Sequence, residues 1–231
     1  MMAAYRFIRA TVLLAAVVGL SGCVSGNVLT LPGELSRPGK KGPVTGAAGV
    51  PAVAVLDFAF PGTPPFEVGR DFDHARAIVW KMDPGKEVPD LIADALNEMG
   101  VRAVRVSRES SVPADAIASV WGSVDRFRVD ARKTGSLKMK VESTGSVSVT
   151  VHGSGGTAAP GWNSTVASEY WTTEPLFVTP EGVRDAVNGA ANAVAEEVAR
   201  RLIAAGVVTP PPSPSGFPER QVPLEGGREG K

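Results

Sequence analysis

The stretch LKMKVESTGSVSVTVHG, Leu137 to Gly153, carries the clearest periodicity in the chain. Leu137, Met139, Val141, Val147, Val149 and Val151 share one parity, while Lys138, Lys140, Glu142, Thr144, Ser146, Ser148, Thr150 and His152 occupy the other. Successive side chains of a strand point to opposite faces, so this alternation predicts a long strand with one dry and one wet face. The Gly- and Pro-rich GSGGTAAPG, Gly153 to Gly161, reads as the turn region, and Trp162 to Trp171 as the returning strand of an antiparallel hairpin. A sheet that is apolar on one side needs a second layer to cover that side.

Two segments supply the cover. Val88, Leu91, Ile92, Ala95, Leu96 and Met99 fall on one face of a helix that starts between Asp83 and Val88 and stops at Gly100. The prolines Pro84 and Pro89 bound its start, because Pro is tolerated in a helix's first turn. The second helix opens at Thr179-Pro180-Glu181: a capping hydroxyl, Pro at the first helical position, and an acid near the positive helix end. Its stripe runs Val183, Ala186, Val187, Ala190, Val194, Val198, Leu202, and Gly206 ends it.

Upstream, VAVLDFAF (Val53 to Phe60) reads as a buried strand and VRAVRV (Val101 to Val106) as another, with the first helix between them. Phe66 to Met82 is ambiguous, Ala77 to Trp80 being its one strand candidate. Ala118 to Ala131 is a strand whose apolar phase slips between Val124 and Phe127, which a bulge near Asp125 would reconcile. The expectation is an α/β (α+β) two-layer sandwich: a mixed, mostly antiparallel sheet with two helices packed on one face.

The N-terminus is of a different kind. Arg6 and Arg9 precede an apolar run, Thr11 to Leu20, of about ten residues, which suits a signal segment and falls short of the roughly 20 a spanning helix needs. Ser21, Gly22 and Cys23 follow, and Cys23 is the chain's single cysteine, so it has no partner for an intramolecular disulfide. Leu20-Ser21-Gly22-Cys23 resembles the bacterial lipobox. That resemblance implies cleavage between Gly22 and Cys23, diacylglycerol on the Cys23 sulfur, and an acylated amino group. Two or three acyl chains hold stably where one holds marginally. Val24, where enterobacterial lipoproteins kept in the inner membrane carry Asp, favours the periplasmic face of the outer membrane. The domain plan is a signal peptide (1–22), lipidated Cys23 with a flexible Gly/Pro-rich tether (23–50), a folded domain (51–206) and a Pro/Gly-rich disordered tail (207–231).

Taken together, Cys23, VAVLDF, a helix ending in MG before a strand, VWGSVDRFRVD leading into the long hairpin, and the final Ala-rich helix resemble the YajG-type bacterial lipoproteins. The pattern is similar, more distantly, to the curli-secretion lipoprotein and to auxiliary lipoproteins of ABC-type transport systems. The YajG type has no established activity, so the resemblance implies fold and envelope location and carries over no functional residue. The long tether, the Phe66–Trp80 insert and the Pro-rich tail depart from it.

Candidate chemistry is sparse. With 24 basic and 24 acidic residues the chain has no excess charge to draw nucleic acid. The densest polar cluster is Asp71, Asp73 and His74 with Arg70 and Arg76. It is weighed as an acid/base site against a solvated loop stitched by ion pairs, which is how charged loops usually resolve. No third ligand stands near Asp-x-Asp-His, so no metal is expected, nor any cofactor. Trp162, Tyr170 and Trp171 are candidate partner-docking aromatics, set against cross-strand packing in the hairpin. The expected function is a non-catalytic, lipid-anchored envelope protein. It would act as a scaffold or accessory subunit, with the membrane and an envelope protein or a second copy as partners. One alternative is an auxiliary lipoprotein of transport or secretion that binds lipid or an envelope substrate. The other is a periplasmic enzyme using Asp71, Asp73 and His74.

Overall fold

The computed structural model describes residues 27–38, 52–107, 112–135, 137–155 and 161–210. The signal segment with Gly22 and Cys23, most of the expected tether and the tail from residue 211 lie outside the described residues. In chain order the elements are β1 (Val28–Thr30), β2 (Ala52–Leu56), β3 (Phe66–Asp71), β4 (Arg76–Trp80), α1 (Pro84–Glu98) and β5 (Ala103–Val106). They continue with β6 (Ala116–Thr134), β7 (Lys140–Gly155), β8 (Trp162–Pro175) and α2 (Pro180–Ala204). The result is an α+β sandwich: one mixed sheet of eight strands with both helices on one face.

The spine is β6–β7–β8, joined by long antiparallel ladders. Val141, Val147, Val149 and Val151 are buried beneath α2, as their parity demands. The phase slip in β6 is a register shift between Val124 and Arg126, at the expected bulge. Gly145 lets α2 come down onto the sheet, since a Cβ there would stand 2.3 Å from the Ala186 carbonyl oxygen. Leu137 and Met139 depart from expectation. They keep the apolar parity, but pairing begins only at Thr134↔Lys140, so both lie in the turn and are exposed.

The long strand β6 has two sets of neighbours on its other edge. Its first part pairs with β2, which pairs with β5 in parallel across the α1 crossover. Its last part meets β3 at Asp71↔Ala131, and β3 pairs with β4. The Phe66–Trp80 insert is therefore a second hairpin, and it passes close to β6 because Gly69 leaves room for the Val129 carbonyl oxygen, 1.6 Å from where a Cβ would be.

Both helices begin and stop where their caps imply. Asp83 accepts from the Gly85 N–H and Thr179 from the Gly182 N–H, while Gly100 and Gly206 take the left-handed conformation. Pro89 lies past the first turn of α1. Having no N–H, it frees the Gly85 carbonyl, which accepts instead from Phe58 N–H at 2.8 Å.

Two boundaries need correction. Residues 28–30, expected within the tether, form β1 in parallel with β4, with Leu29 and Leu31 buried. The segment then crosses the helices. Leu35 N–H donates to Glu87, Ser36 N–H to Asn188 Oδ1, and Arg37 pairs with Glu98 and Glu196. At the other end Val207 and Val208 are buried, so the core extends past residue 206.

Candidate functional site

The Asp71 cluster sits in the turn between β3 and β4. Asp71 closes β3 opposite Arg76, which opens β4. Its carboxylate is fully buried, and both oxygens are occupied. Oδ1 accepts from Asp73 N–H at 3.2 Å. Oδ2 lies 2.9 Å from His74 Nδ1, and the Arg76 guanidinium donates to it at 2.6 and 3.0 Å. Asp73 accepts from the Lys133 N–H at the end of β6. Burial raises the Asp71 carboxyl, but the hydrogen bonds and charges of Arg76 and His74 outweigh it and hold the group below its ordinary value. The trio does converge, but around a desolvated carboxylate rather than in a solvated loop. Each acid is spent on fastening a turn.

The expected aromatic set divides. Trp162 and Tyr170 lie in the β8 parity of Val166, towards α2, whereas Trp171 lies in the opposite parity, on the face without helices. Trp162 packs against the core, Tyr170 crowds the Gly189 position of α2, and Trp171 stands exposed. A different aromatic shares the open face. Trp121 stacks on His152, its partner in register, with ring centres 5.9 Å apart. Together with Leu56, Ser119 and Ser154 it borders a hollow of about 430 Å³. His152 was readable as a wet-face residue from its parity, and Trp121 carries the same signal relative to Val120.

Glu87 escaped the sequence reading. It is buried in the first turn of α1, where its Oε2 accepts from the fully buried Trp80 Nε1–H at 2.5 Å and its Oε1 from Leu35 N–H at 2.9 Å. Burial pushes its carboxyl above the ordinary value. The two donors oppose this, and the nearby charges of Glu34 and Asp90 add to it. Nothing local announces the pair, because it depends on where the N-terminal segment docks. Among the described residues, no group of three or more His, Cys, Asp or Glu is placed to hold a metal ion. No described helix is long and apolar enough to cross a membrane.

No family model and no curated protein matches this chain. Several solved structures are similar to it. A Xanthomonas campestris protein of the DUF330 family is 12% identical, covers 78% of this chain and 96% of its own, and gives a TM-score of 0.46. A PelC dodecamer from Paraburkholderia phytofirmans is 20% identical over 64% of this chain and 86% of its own, with a TM-score of 0.34. A minor lipoprotein from Acinetobacter baumannii is 11% identical over 70% and 96%, with a TM-score of 0.36.

Proposed function

We propose that this chain is a lipid-anchored protein of the bacterial cell envelope that acts by binding, as a scaffold or accessory subunit, from the periplasmic face of the outer membrane. The observation that carries the reading is Leu20-Ser21-Gly22-Cys23 at the end of a signal-type apolar run, in a chain with no other cysteine. The resemblance to YajG-type lipoproteins points the same way. The hydrogen bonds by which Asp71 and Asp73 fasten the β3–β4 turn support a binding role over a catalytic one.

The test is metabolic labelling with palmitate, with membrane fractionation. The wild-type chain incorporates label and sediments with membranes through a high-salt wash. A Cys23→Ser chain does neither, while its circular dichroism stays that of a folded protein. A Cys23→Ser chain that remains on washed membranes overturns the reading.

A second reading draws on the hollow beside Trp121. A transport-linked lipoprotein would use such a site for an apolar or sugar ligand, because aromatic faces take both. Quenching of Trp121 fluorescence by envelope lipid or glycan fractions, abolished by Trp121→Ala, supports it. An unchanged spectrum counts against it.

A further inference from the structure

Of the eleven large apolar side chains exposed among the described residues, five gather beyond one row of the sheet. The register runs Arg76–Asp71–Ala131–Ser143–Thr172 across five strands, and Val28 of β1 pairs with Ala77, next to Arg76. Beyond this row, on one side only, lie Phe72 in the β3–β4 turn, Leu137 and Met139 in the β6–β7 turn, and Leu176 and Phe177 after β8. All five are exposed, Leu137 by 79% and Phe177 by 67%. The turns are neighbours: Phe72 N–H donates to Ala131 C=O and Leu176 N–H to Met139 C=O. Trp171, 66% exposed, lies one row inside the boundary. The three described non-glycine residues with positive φ, Ala75, Lys138 and Leu176, fall in these same turns. Sequence does not favour that conformation there. Lys133, Lys138 and Lys140 stand among the apolar tips, with no ion-pair partner among the described residues.

The same end of the sheet receives the N-terminus. Ala77 N–H donates to Asn27 C=O, so the chain is fixed from Asn27 onward. Cys23 is four residues away, a reach of at most about 14 Å. From Ala131 to the end of β6 at Thr134 the hairpin projects about 10 Å past the row, before its turn begins. An anchor on so short a leash cannot hold the domain clear of the lipid surface from which it departs.

From this we infer that the Phe72, Leu137–Met139 and Leu176–Phe177 turns form a second, non-covalent membrane contact. Their apolar tips would enter the headgroup region of a bilayer, and the three lysines would meet anionic phospholipid. The inference rests on the lipid-anchor reading of Cys23. The acids at this end are engaged within the fold, Asp73 by Lys133 N–H, Glu142 by Arg132 and Glu174 by Thr179, which leaves the three lysines to face the surface. Apolar tips with such lysines among them are complementary to anionic lipid, and each lysine within a Debye length of it adds to the attraction. The six strands from β1 to β8 through β4, β3, β6 and β7 make this edge about 24 Å wide. The domain would stand on its strand ends, with α1, α2 and the open face turned sideways and the Ile117 end pointing away.

Full-length chains carrying Leu137→Cys, Phe177→Cys or Ile117→Cys are produced as acylated protein. They are reconstituted in phosphatidylethanolamine/phosphatidylglycerol vesicles and labelled with bimane, since the acylated Cys23 sulfur does not react. Nitroxide lipid should quench the labels at positions 137 and 177 and spare the one at 117. Equal quenching at all three, or none, overturns the contact. So does an oxidative 137–137 crosslink without quenching, which would assign this end to a second copy of the chain. Separately, the mature Cys23→Ser chain should sediment with these vesicles at low salt. It should bind at least about ten-fold less with Lys138→Glu and Lys140→Glu together, and a difference that fails to appear is again fatal. Failure of the anchor reading is visible apart from this, as absence of palmitate incorporation in the wild-type chain.

Discussion

Two buried carboxylates, one in each half of the insert-and-helix region, show how differently the same burial can be resolved. Asp71 in the β3–β4 turn is met by the Arg76 guanidinium and the His74 imidazole. Glu87 in the first turn of α1 is met by two neutral donors, Leu35 N–H and Trp80 Nε1–H, with Glu34 and Asp90 nearby. Desolvation acts upward on both groups. Hydrogen bonds from Arg76 and His74, reinforced by charge, reverse it at Asp71, while the hydrogen bonds from Leu35 and Trp80 fail to reverse it at Glu87. The side chains that meet Asp71 come from its own turn, His74 and Arg76. Glu87 takes one donor from Trp80 and the other from a segment 52 residues away in sequence.

The largest break in this comparison should come from Asp71→Ala. It strands Arg76 and unfastens the turn, and should cost about 3 kcal/mol in urea unfolding, at the low end for a broken buried pair because Arg76 is partly exposed. Glu87→Ala comes next. It leaves the buried Trp80 N–H unpartnered and releases Leu35, for about 1–3 kcal/mol by the same measurement. It should also speed amide exchange across residues 28–37, which Asp71→Ala should not.

The pH dependence separates the two acids by sign. The folded Asp71 carboxyl lies below its ordinary 3.8, so its contribution is whole above 3.8 and is lost as pH falls through the folded value. The folded Glu87 carboxyl lies above its ordinary 4.5, so its contribution is whole below 4.5 and is lost as pH rises through the folded value. Thermal melts from pH 3 to 7 should show Asp71→Asn losing slope on the acid side only, and Glu87→Gln losing slope above 4.5 only. Interchanged slopes would refute the assignment. The smallest effect belongs to His74→Ala, which removes the more exposed of the two side chains that meet Asp71 Oδ2. It should shift stability by less than about 1 kcal/mol, and by less again in high salt.

The contrast also explains what could be read from the chain. Alternation in Val141–Val151, the β6 bulge and the Thr179 and Gly206 caps are local signals with local causes, and they locate the spine, α2 and the bulge correctly. The strand Val28–Thr30 has only three residues amid Gly, Pro and Ser, too few for a period to show, and its partner lies about 50 positions away. Leu137 and Met139 were in phase, but periodicity does not say where pairing ends. The Asp71 cluster was visible as composition. Its burial was not, because that depends on β3 lying against β6. Glu87 and Trp80 carry no local mark of their pairing, which exists only once α1 packs beside β4.

β1 is held to β4 by bonds that run from Ala77 N–H to Asn27 C=O and from Leu31 N–H to Val79 C=O. Any pull entering the fold at Asn27 travels along β1, across those bonds, so it loads them side by side in shear instead of opening them in turn. Should this clasp and the Leu35–Arg37 contacts yield, residues 28–38 would pay out about 37 Å of chain. The domain would then trade a fixed standing height for a long leash, without changing anything in its core.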